Sequence, residues 1–459
     1  MADQHTVYLA LGSNLGNRAA HLHAALKGLA AHAKVEETSF LYETKAQYVA
    51  DSPDYLNAVC QVTTNLTLEA LLATNEQLMY NLGRRRTEGY GSPRPIDIDI
   101  LFYDDAQMQN ADLTIPHPGL AERIFVLEPL CDLAPDLRHP VLGRTMRELL
   151  NALNVAPLTK VMPIGDRLWT WGQKTYIMGI INITPDSFSG DGLLQQDKPV
   201  IEQAVDQAQR FVTEGADCLD VGGMSTRPGH ALISVEEELA RVAPVIQALV
   251  GAVDIPISVD TFRSEVAQAA LDAGAHLLND IWGLRFDPKL AQLAAEKSAP
   301  LIVMHNRYEP ADAAYLAQVQ QHLAFGPARQ YTNLLQEIRN ELQQSLALAQ
   351  STGLPRWLLI TDPGMGFGKT FEQHLELLHH LNELKALGYP LLFAASRKSF
   401  VGRVLDNAPR EGQGEGTLAT GVLALERGAD VLRVHDVKAM SRAARMADAV
   451  VRDRTDAPS

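Results

Sequence analysis

Cysteine is scarce in this sequence. Three occur in 459 residues, Cys60, Cys131 and Cys218, far apart and without a CxxC pair, which excludes a disulfide framework and a thiolate zinc site and fits a reducing compartment. Basic residues are in deficit too, with 40 Lys and Arg against 55 Asp and Glu and a formal net charge of −15. That balance argues against a broad polyanion-binding surface, so neither nucleic acid nor a membrane is an expected partner, and any anionic ligand must be held by a local basic cluster. No apolar run approaches the roughly 18 residues of a spanning helix. The first residues form a short polar lead into an apolar strand, without a basic n-region or cleavable apolar core. A cytoplasmic protein is the expectation.

What the chain does have is length and apolar content. With 46% hydrophobic residues it can fill sizeable cores, and at about 100–200 residues per domain, or about 250 for a barrel, two or at most three folding units are expected. Residues 6–11, 55–64 and 96–103 have strand patterns, while 18–33, 66–82 and 144–153 have apolar residues at helical spacing. This order predicts a compact α+β domain. Between Asn154 and Gln173 the helical period stops at Pro157, Pro163 and Gly165, with a short hairpin pattern at 160–171. The boundary is placed near residue 158, giving domains 1–158 and 159–459.

From Tyr176 onward, eight short apolar runs alternate with helical stretches: 176–182, 218–222, 256–260, 276–280, 301–305, 357–362, 390–396 and 430–435. Eight strands with helices between them over about 280 residues is the arithmetic of a (β/α)8 TIM barrel; a doubly wound open sheet is the main alternative. Polar residues favour the barrel. Asn182, Asp260, Asn279, His305, Asp362, Lys398 and the Arg433/His435 pair fall at or just beyond the C-terminal ends of runs, the face where barrel active sites form. Taken singly each could be a turn former, and His305 reads as a satisfied strand-end histidine outside the catalytic set.

In the N-terminal half the informative segment is 83–99, GRRRTEGYGSPRPIDID. Asp97 and Asp99 lie two apart on a strand and project from one face. Two hard carboxylates so placed suit Mg²⁺ shared with substrate phosphates. Arg84, Arg85, Arg86 and Arg94 concentrate guanidinium groups beside them, and such forks pair with phosphate oxygens. The combination points to metal-assisted phosphoryl or pyrophosphoryl transfer, against the plainer reading of a solvated arginine run. The segment 364–370, GMGFGKT, is not a P-loop because Pro363 stands in the place of its first glycine, and Gly12-Ser13-Asn14-Leu15-Gly16 is not a dinucleotide fingerprint. Lys369-Thr370 reads as a helix start.

Four segments, LALGSNLGN, PDYLNAV, GRRR…PRPIDIDILFY and IPHPGLAERIFVLEPL, make residues 5 to about 155 resemble 6-hydroxymethyl-7,8-dihydropterin pyrophosphokinase. The resemblance implies a ferredoxin-like α+β fold and transfer of a pyrophosphoryl group from the co-substrate ATP to the pterin hydroxymethyl. It also implies Mg²⁺ on Asp97 and Asp99, ATP contacts from Arg84, Arg94, His117 and Arg123, and a pterin pocket of Tyr55, Asn57 and Phe125. Departures from the family pattern are Lys45-Ala46 in place of paired prolines, Tyr90-Gly91 near the usual tryptophan, and Met79 in place of a helix glutamate.

From Tyr176 the segments MGIINITPDSFSGDG, DVGGMSTRPG, SVDT, LLNDI, DPGMGFGKT, ASRKSF and VLRVHD resemble dihydropteroate synthase, a barrel that joins 4-aminobenzoate to dihydropterin pyrophosphate and releases pyrophosphate. By that resemblance Asp260, Asn279, Asp362 and Lys398 bind the pterin. Asn182, Arg227, Arg433 and His435 would hold the pyrophosphate, with Mg²⁺ near Asn182, while Phe188, Thr226, Pro228 and Phe367 line the aminobenzoate pocket. Asp260 and Lys398 are the expected catalytic residues. Met224 stands where many members carry glutamate. The resemblance also implies a homodimer formed through the barrel. The rivals are a folate-dependent methyltransferase on a similar barrel, which STRPG and the SRKS lysine argue against, and an N-terminal half that is a catalytically silent docking domain.

Overall fold

The computed structural model describes residues 4–46, 52–85, 92–110, 113–183, 199–224, 233–308 and 329–452. Two compact units divide it. One holds the chain up to Pro163 with Leu168–Thr170 and Pro355–Trp357; the other holds Ile164–Arg167, Trp171–Leu354 and the chain from Leu358.

The first unit is built on an antiparallel sheet of β1 (His5–Ser13), β2 (Lys34–Thr38), β3 (Leu41–Thr44), β4 (Tyr55–Thr64) and β5 (Asp97–Tyr103). Two further strands, β6 (Met108–Gln109) and β7 (Thr114–Ile115), form a separate small ladder. β1 lies between β4 and β5. Helix α1 (Arg18–Leu29) starts where the Asn17 side chain accepts from the Ala20 N–H, and α2 (Leu68–Asn81) where Thr67 accepts from the Ala70 N–H, each relieving one orphan amide of the first turn. They pack on β1 and β5 respectively. Val59, Leu101 and Phe102 of the sheet meet Val126, Leu127 and Leu130 of α3 (Ile124–Leu133) and Met146 and Leu149 of α4 (Met146–Leu153) in one buried cluster. This is the expected ferredoxin-like α+β fold. The strands β2 and β3 lie in the stretch 34–44, for which the sequence pattern gave no element. The hairpin beyond α4 is present as β8 (Thr159–Ile164) and β9 (Arg167–Thr170), and β8 pairs antiparallel with β3.

The second unit is the expected barrel. Its strands are β10 (Tyr176–Asn182), β11 (Cys218–Gly222), β12 (Ile257–Asp260), β13 (Leu277–Asp280), β14 (Leu301–Met304), β15 (Leu359–Asp362), β16 (Leu392–Phe393) and β17 (Val431–Val434). They pair in parallel in the order β15-β14-β13-β12-β11-β10-β17-β16, and a parallel bridge between Thr361 and Leu391 joins the two ends. A closed ring of eight excludes the doubly wound sheet. Nearly continuous apolar runs form these strands because helices cover them outside and side chains fill them inside; all five residues of β11 are buried. β16 falls furthest short of its apolar run, 390–396: Leu392 and Phe393 form the strand and Leu391 the bridge to Thr361, and 394–398 continue beyond it to carry Ser396 and Lys398.

Candidate active sites

In the first unit, Gly12 on β1 pairs with Asn57 on β4 and with Asp97 on β5. A Cβ added at Gly12 would lie 3.3 Å from Asn57 Oδ1, 3.8 Å from Tyr55 Cδ1 and 3.9 Å from Asp97 Cβ. The absent side chain thus leaves a floor where Tyr55, Asn57 and Asp97 converge. Asn57 is buried, and its Nδ2 donates to Thr44 Oγ1 at 2.7 Å, which fixes its amide orientation.

Asp97 accepts from two guanidinium groups, Arg84 Nη1 at Oδ1 and Arg94 Nη1 at Oδ2, the latter at 3.0 Å. Asp99 projects from the same face two residues on. Burial, and then the Asp97 charge, push its carboxyl up to about 7, against the opposing influence of Arg84, Arg123 and Arg94. His117 Nδ1 accepts from the Gly119 N–H at 3.2 Å, which leaves Nε2 as its donor. Burial, then Arg123, hold this imidazole below its ordinary value. The Arg123 guanidinium sits 5.9 Å from the Phe125 ring centroid, and a Cβ at Gly119 would be 2.7 Å from its Cζ. Arg84, Arg94, Asp97, Asp99, His117 and Arg123 therefore belong to one electrostatic cluster.

Asn14 belongs to this site and escaped the sequence reading. Its backbone N–H donates to Arg94 O at 3.2 Å and its Oδ1 accepts from the Arg94 N–H at 2.7 Å. Its Nδ2 donates to Ser52 Oγ and Pro53 O at 3.2 and 3.3 Å. Asn14 thereby ties Arg94 to the segment that leads into Tyr55. The signal lies in Gly12-Ser13-Asn14, part of the LALGSNLGN segment that carries the pyrophosphokinase resemblance, which by itself assigns Asn14 no role. Met79 takes the place of the usual glutamate as a sulfur acceptor for the Ile98 N–H at 3.2 Å and for Arg84 Nη1 at 2.8 Å.

At the barrel mouth, strand register sets Asn182, Gly222, Asp260 and Asn279 side by side across β10 to β13. Gly222 opens the layer: a Cβ there would lie 3.6 Å from Asp260 Cβ and 3.7 Å from Asn182 Oδ1. Arg433 Nη2 donates to Asp260 Oδ2 at 2.7 Å, and its Nε donates to Asp220 Oδ2. Asn279 Nδ2 reaches the same oxygen of Asp220 at 3.0 Å. Asp220 lies inside the apolar run of β11 and was missed for that reason. It is fully buried, and its Oδ1 has no hydrogen-bond partner among the described residues.

Burial raises Asp260 to about 7, with Arg433 opposing and Asp220 adding to the shift. Asp362 is likewise raised by burial, with Lys398 opposing. Lys398 is lowered to about 8 by burial, with Asp362 opposing and Arg433 reinforcing. Its Nζ donates to the Met365 carbonyl and stands 5.1 Å from the Phe367 ring centroid. His435 Nδ1 pairs with Ser396 Oγ at 3.0 Å. Phe367 packs against a buried cluster containing Met224, Phe262, Ile281 and Met304, so Met224 serves as apolar wall. Phe188, Thr226, Arg227 and Pro228 lie outside the described residues.

A family model described as 7,8-dihydro-6-hydroxymethylpterin-pyrophosphokinase matches residues 8–135, and one described as pterin binding enzyme matches residues 178–435. The folate synthesis bifunctional protein, mitochondrial, of Arabidopsis thaliana is 35% identical over 98% of this chain and 84% of that protein. The folic acid synthesis protein fol1 of Pneumocystis carinii is 40% identical over 98% of this chain, which spans 60% of that protein's length. Among solved structures, a Plasmodium falciparum HPPK-DHPS with pteroate covers 98% of each chain with a TM-score of 0.77; at 22% identity this likeness concerns the fold.

Proposed function

We propose how the residues act in this chain, which belongs to the family of bifunctional folate-synthesis proteins carrying a hydroxymethyldihydropterin pyrophosphokinase and a dihydropteroate synthase. The first unit moves a pyrophosphoryl group from ATP to the hydroxymethyl oxygen of 6-hydroxymethyl-7,8-dihydropterin, releasing AMP. The barrel then joins the methylene carbon to the amino nitrogen of 4-aminobenzoate, and pyrophosphate leaves. The observation that carries this reading is that each unit gathers carboxylates, an amide and guanidinium groups at one strand-borne site, the donor and acceptor set that a flat pterin and its phosphates require.

In the first unit Tyr55, Asn57 and Phe125 receive the pterin, the aromatic rings against its faces and the amide at its edge. Arg84, Arg94, His117 and Arg123 hold ATP phosphates. The donor set of Asp97 and Asp99 fits Mg²⁺: both are hard oxygen ligands on one face, and a bound cation would offset the burial that chiefly raises Asp99 and the added push of the Asp97 charge. Mg²⁺ bound there supplies charge neutralisation for the transferring phosphoryl groups. With a cation there, Arg84 and Arg94, which pair with Asp97, would turn to phosphate oxygens.

In the barrel Asp260, Asn279 and Asp362 accept from or donate to the pterin amino and ring nitrogens, and Lys398 donates to its carbonyl or ring nitrogen. Asn182, Arg227, Arg433 and His435 hold the pyrophosphate, with Mg²⁺ near Asn182. Asp260 stabilises the positive charge that develops on the methylene as the C–O bond breaks, so no protein nucleophile is needed. Phe188, Thr226, Pro228 and Phe367 form the aminobenzoate pocket.

A homodimer through the barrel is supported by exposed Leu423, Met446, Val450 and Val451 on its last two helices, and a cytoplasmic location by three unpaired cysteines. No helix among the described residues is long and apolar enough to cross a membrane. The second reading, a silent docking role for the first unit, is favoured only by its departures from the family pattern at Lys45-Ala46, Tyr90-Gly91 and the helical Met79. The full chain, given ATP, Mg²⁺ and the hydroxymethyl pterin without aminobenzoate, decides between them. AMP formation supports two activities, and its absence alongside active condensation leaves the barrel alone.

A further inference from the structure

The loop between β15 and the helix Phe371–His379 carries Phe367 and supplies the Met365 carbonyl on which Lys398 rests. Behind it lies Lys369, 2% exposed. Thr370 caps the following helix through a capping box with Gln373, as a helix start requires, but Lys369 does something else. Its Nζ lies 2.9 Å from Gly364 O, 3.1 Å from Phe367 O and 3.1 Å from His305 Nδ1. Burial lowers the Lys369 amine to about 7, with Asp362 opposing and Lys398 reinforcing; its charged form has three N–H donors, and three acceptors surround it.

The acceptors are fixed in turn. Burial, then the Lys369 charge, hold His305 down to about 4, so its ring is neutral and presents Nδ1 as an acceptor while Nε2–H donates to Glu341 Oε2 at 3.0 Å. Arg307 Nε donates to Glu341 Oε1 at 3.0 Å. Gly364 has φ +69°, and a Cβ there would fall 1.9 Å from His305 O, so only glycine lets the loop approach this closely. The Gly364 N–H donates to Asp362 Oδ1 and the Gly366 N–H to His374 Nε2, both at 2.7 Å. A buried ammonium is costly unless fully paired. An apolar side chain of equal length would fill the same space but gather no carbonyls.

We propose that Lys369 is a positioning residue for the condensation. Set by His305 and Glu341, its ammonium folds the 363–368 loop so that Phe367 faces the aminobenzoate and the Met365 carbonyl holds Lys398 at the pterin. This rests on the dihydropteroate synthase reading of the barrel. Steady-state kinetics of the full chain with pterin pyrophosphate and 4-aminobenzoate test it, using Lys369→Met and Lys369→Ala. KM for aminobenzoate is expected to rise about tenfold or more, well beyond any change in KM for the pterin pyrophosphate. Added n-propylammonium restores Lys369→Ala, and n-propanol, which fills space without charge, does not. Unchanged KM in Lys369→Met, or equal rescue by propanol, overturns the proposal. If neither variant folds, His305→Ala removes one acceptor from outside the loop; the same selective rise supports the assignment and an unchanged KM defeats it. A wild-type chain that forms no dihydropteroate would instead sink the reading of the barrel.

Discussion

Arg433 Nε donates to Asp220 Oδ2 from within the barrel, and the same guanidinium reaches Asp260 at 2.7 Å. One arginine thus bridges a carboxylate expected to meet the pterin and a carboxylate concealed in the strand wall. With Asn279 on the same oxygen, Asp220 sets the orientation of two mouth residues at once.

Replacing Asp220 by Asn removes a buried charge and leaves Arg433 with one carboxylate. Truncating a partner of a buried charged pair costs about 2–5 kcal/mol. The expected outcome is a fall of about 100-fold in kcat/KM for condensation with a lowered midpoint of thermal unfolding, while AMP formation by the first unit persists. Steady-state kinetics and calorimetry on the full chain check this, and a near-normal condensation rate would show that Arg433 needs no second carboxylate.

Asp97→Ala separates the two reactions. It strips one carboxylate from the proposed metal pair and the shared acceptor from Arg84 and Arg94. Pyrophosphoryl transfer should fall by roughly 10²–10³-fold, the scale of losing about 3–4 kcal/mol of transition-state stabilisation. Condensation of externally supplied pterin pyrophosphate should remain. Retained AMP formation would move the metal site elsewhere.

Asn14→Ala should act through Arg94. Three side-chain hydrogen bonds disappear, one accepted and two donated, at about 0.5–1.5 kcal/mol per hydrogen bond, and the Arg94 segment loses its tie to residues 52–53. KM for ATP is expected to rise several-fold with a smaller change in kcat; equal losses in both would mean that Asn14 serves only stability.

The pH profile of condensation follows from two buried groups. Asp260 must be ionised to stabilise positive charge, and with its carboxyl raised to about 7 the rate climbs through that pH. Lys398 must carry its proton, and lowered to about 8 it loses activity above that value. A narrow maximum between them is expected, and Lys398→Arg should shift or abolish the alkaline limb. Stability runs with opposite signs in the two windows. Asp260, raised from 3.8, binds its proton more tightly in the fold, so its contribution is complete below about 4 and lost as pH rises through about 7. Lys398, lowered from 10.5, binds its proton less tightly in the fold, so stability rises between about 8 and 10.5. Urea unfolding across these ranges reads both.

Much of this geometry was legible because periodicity is local. The two-residue spacing of Asp97 and Asp99 announces a shared face, and Asp260, Asn279 and Asp362 stand out as polar endings of apolar runs. What stayed hidden depends on long-range pairing. Asp220 sits in Cys218–Gly222, which reads as wall, and only the approach of Arg433, 213 residues away, gives its carboxylate a role. Lys369 reads locally as the lead into a helix; its three acceptors come from a loop and from a histidine 64 residues earlier. The strands β2 and β3 are short and partly polar, so they show only when β4 supplies their partner.

The pairing of β8 with β3 has a practical edge. A fragment ending at residue 158 would lack Thr159–Ile164 and leave the backbone of Leu41–Thr44 with an unpaired side, a ready template for another copy. Such a fragment should self-associate at concentrations where a longer one, carrying the hairpin through Thr170, stays monodisperse. Poor behaviour of the shorter piece would then reflect a missing neighbour strand and say nothing about whether its catalytic cluster is competent.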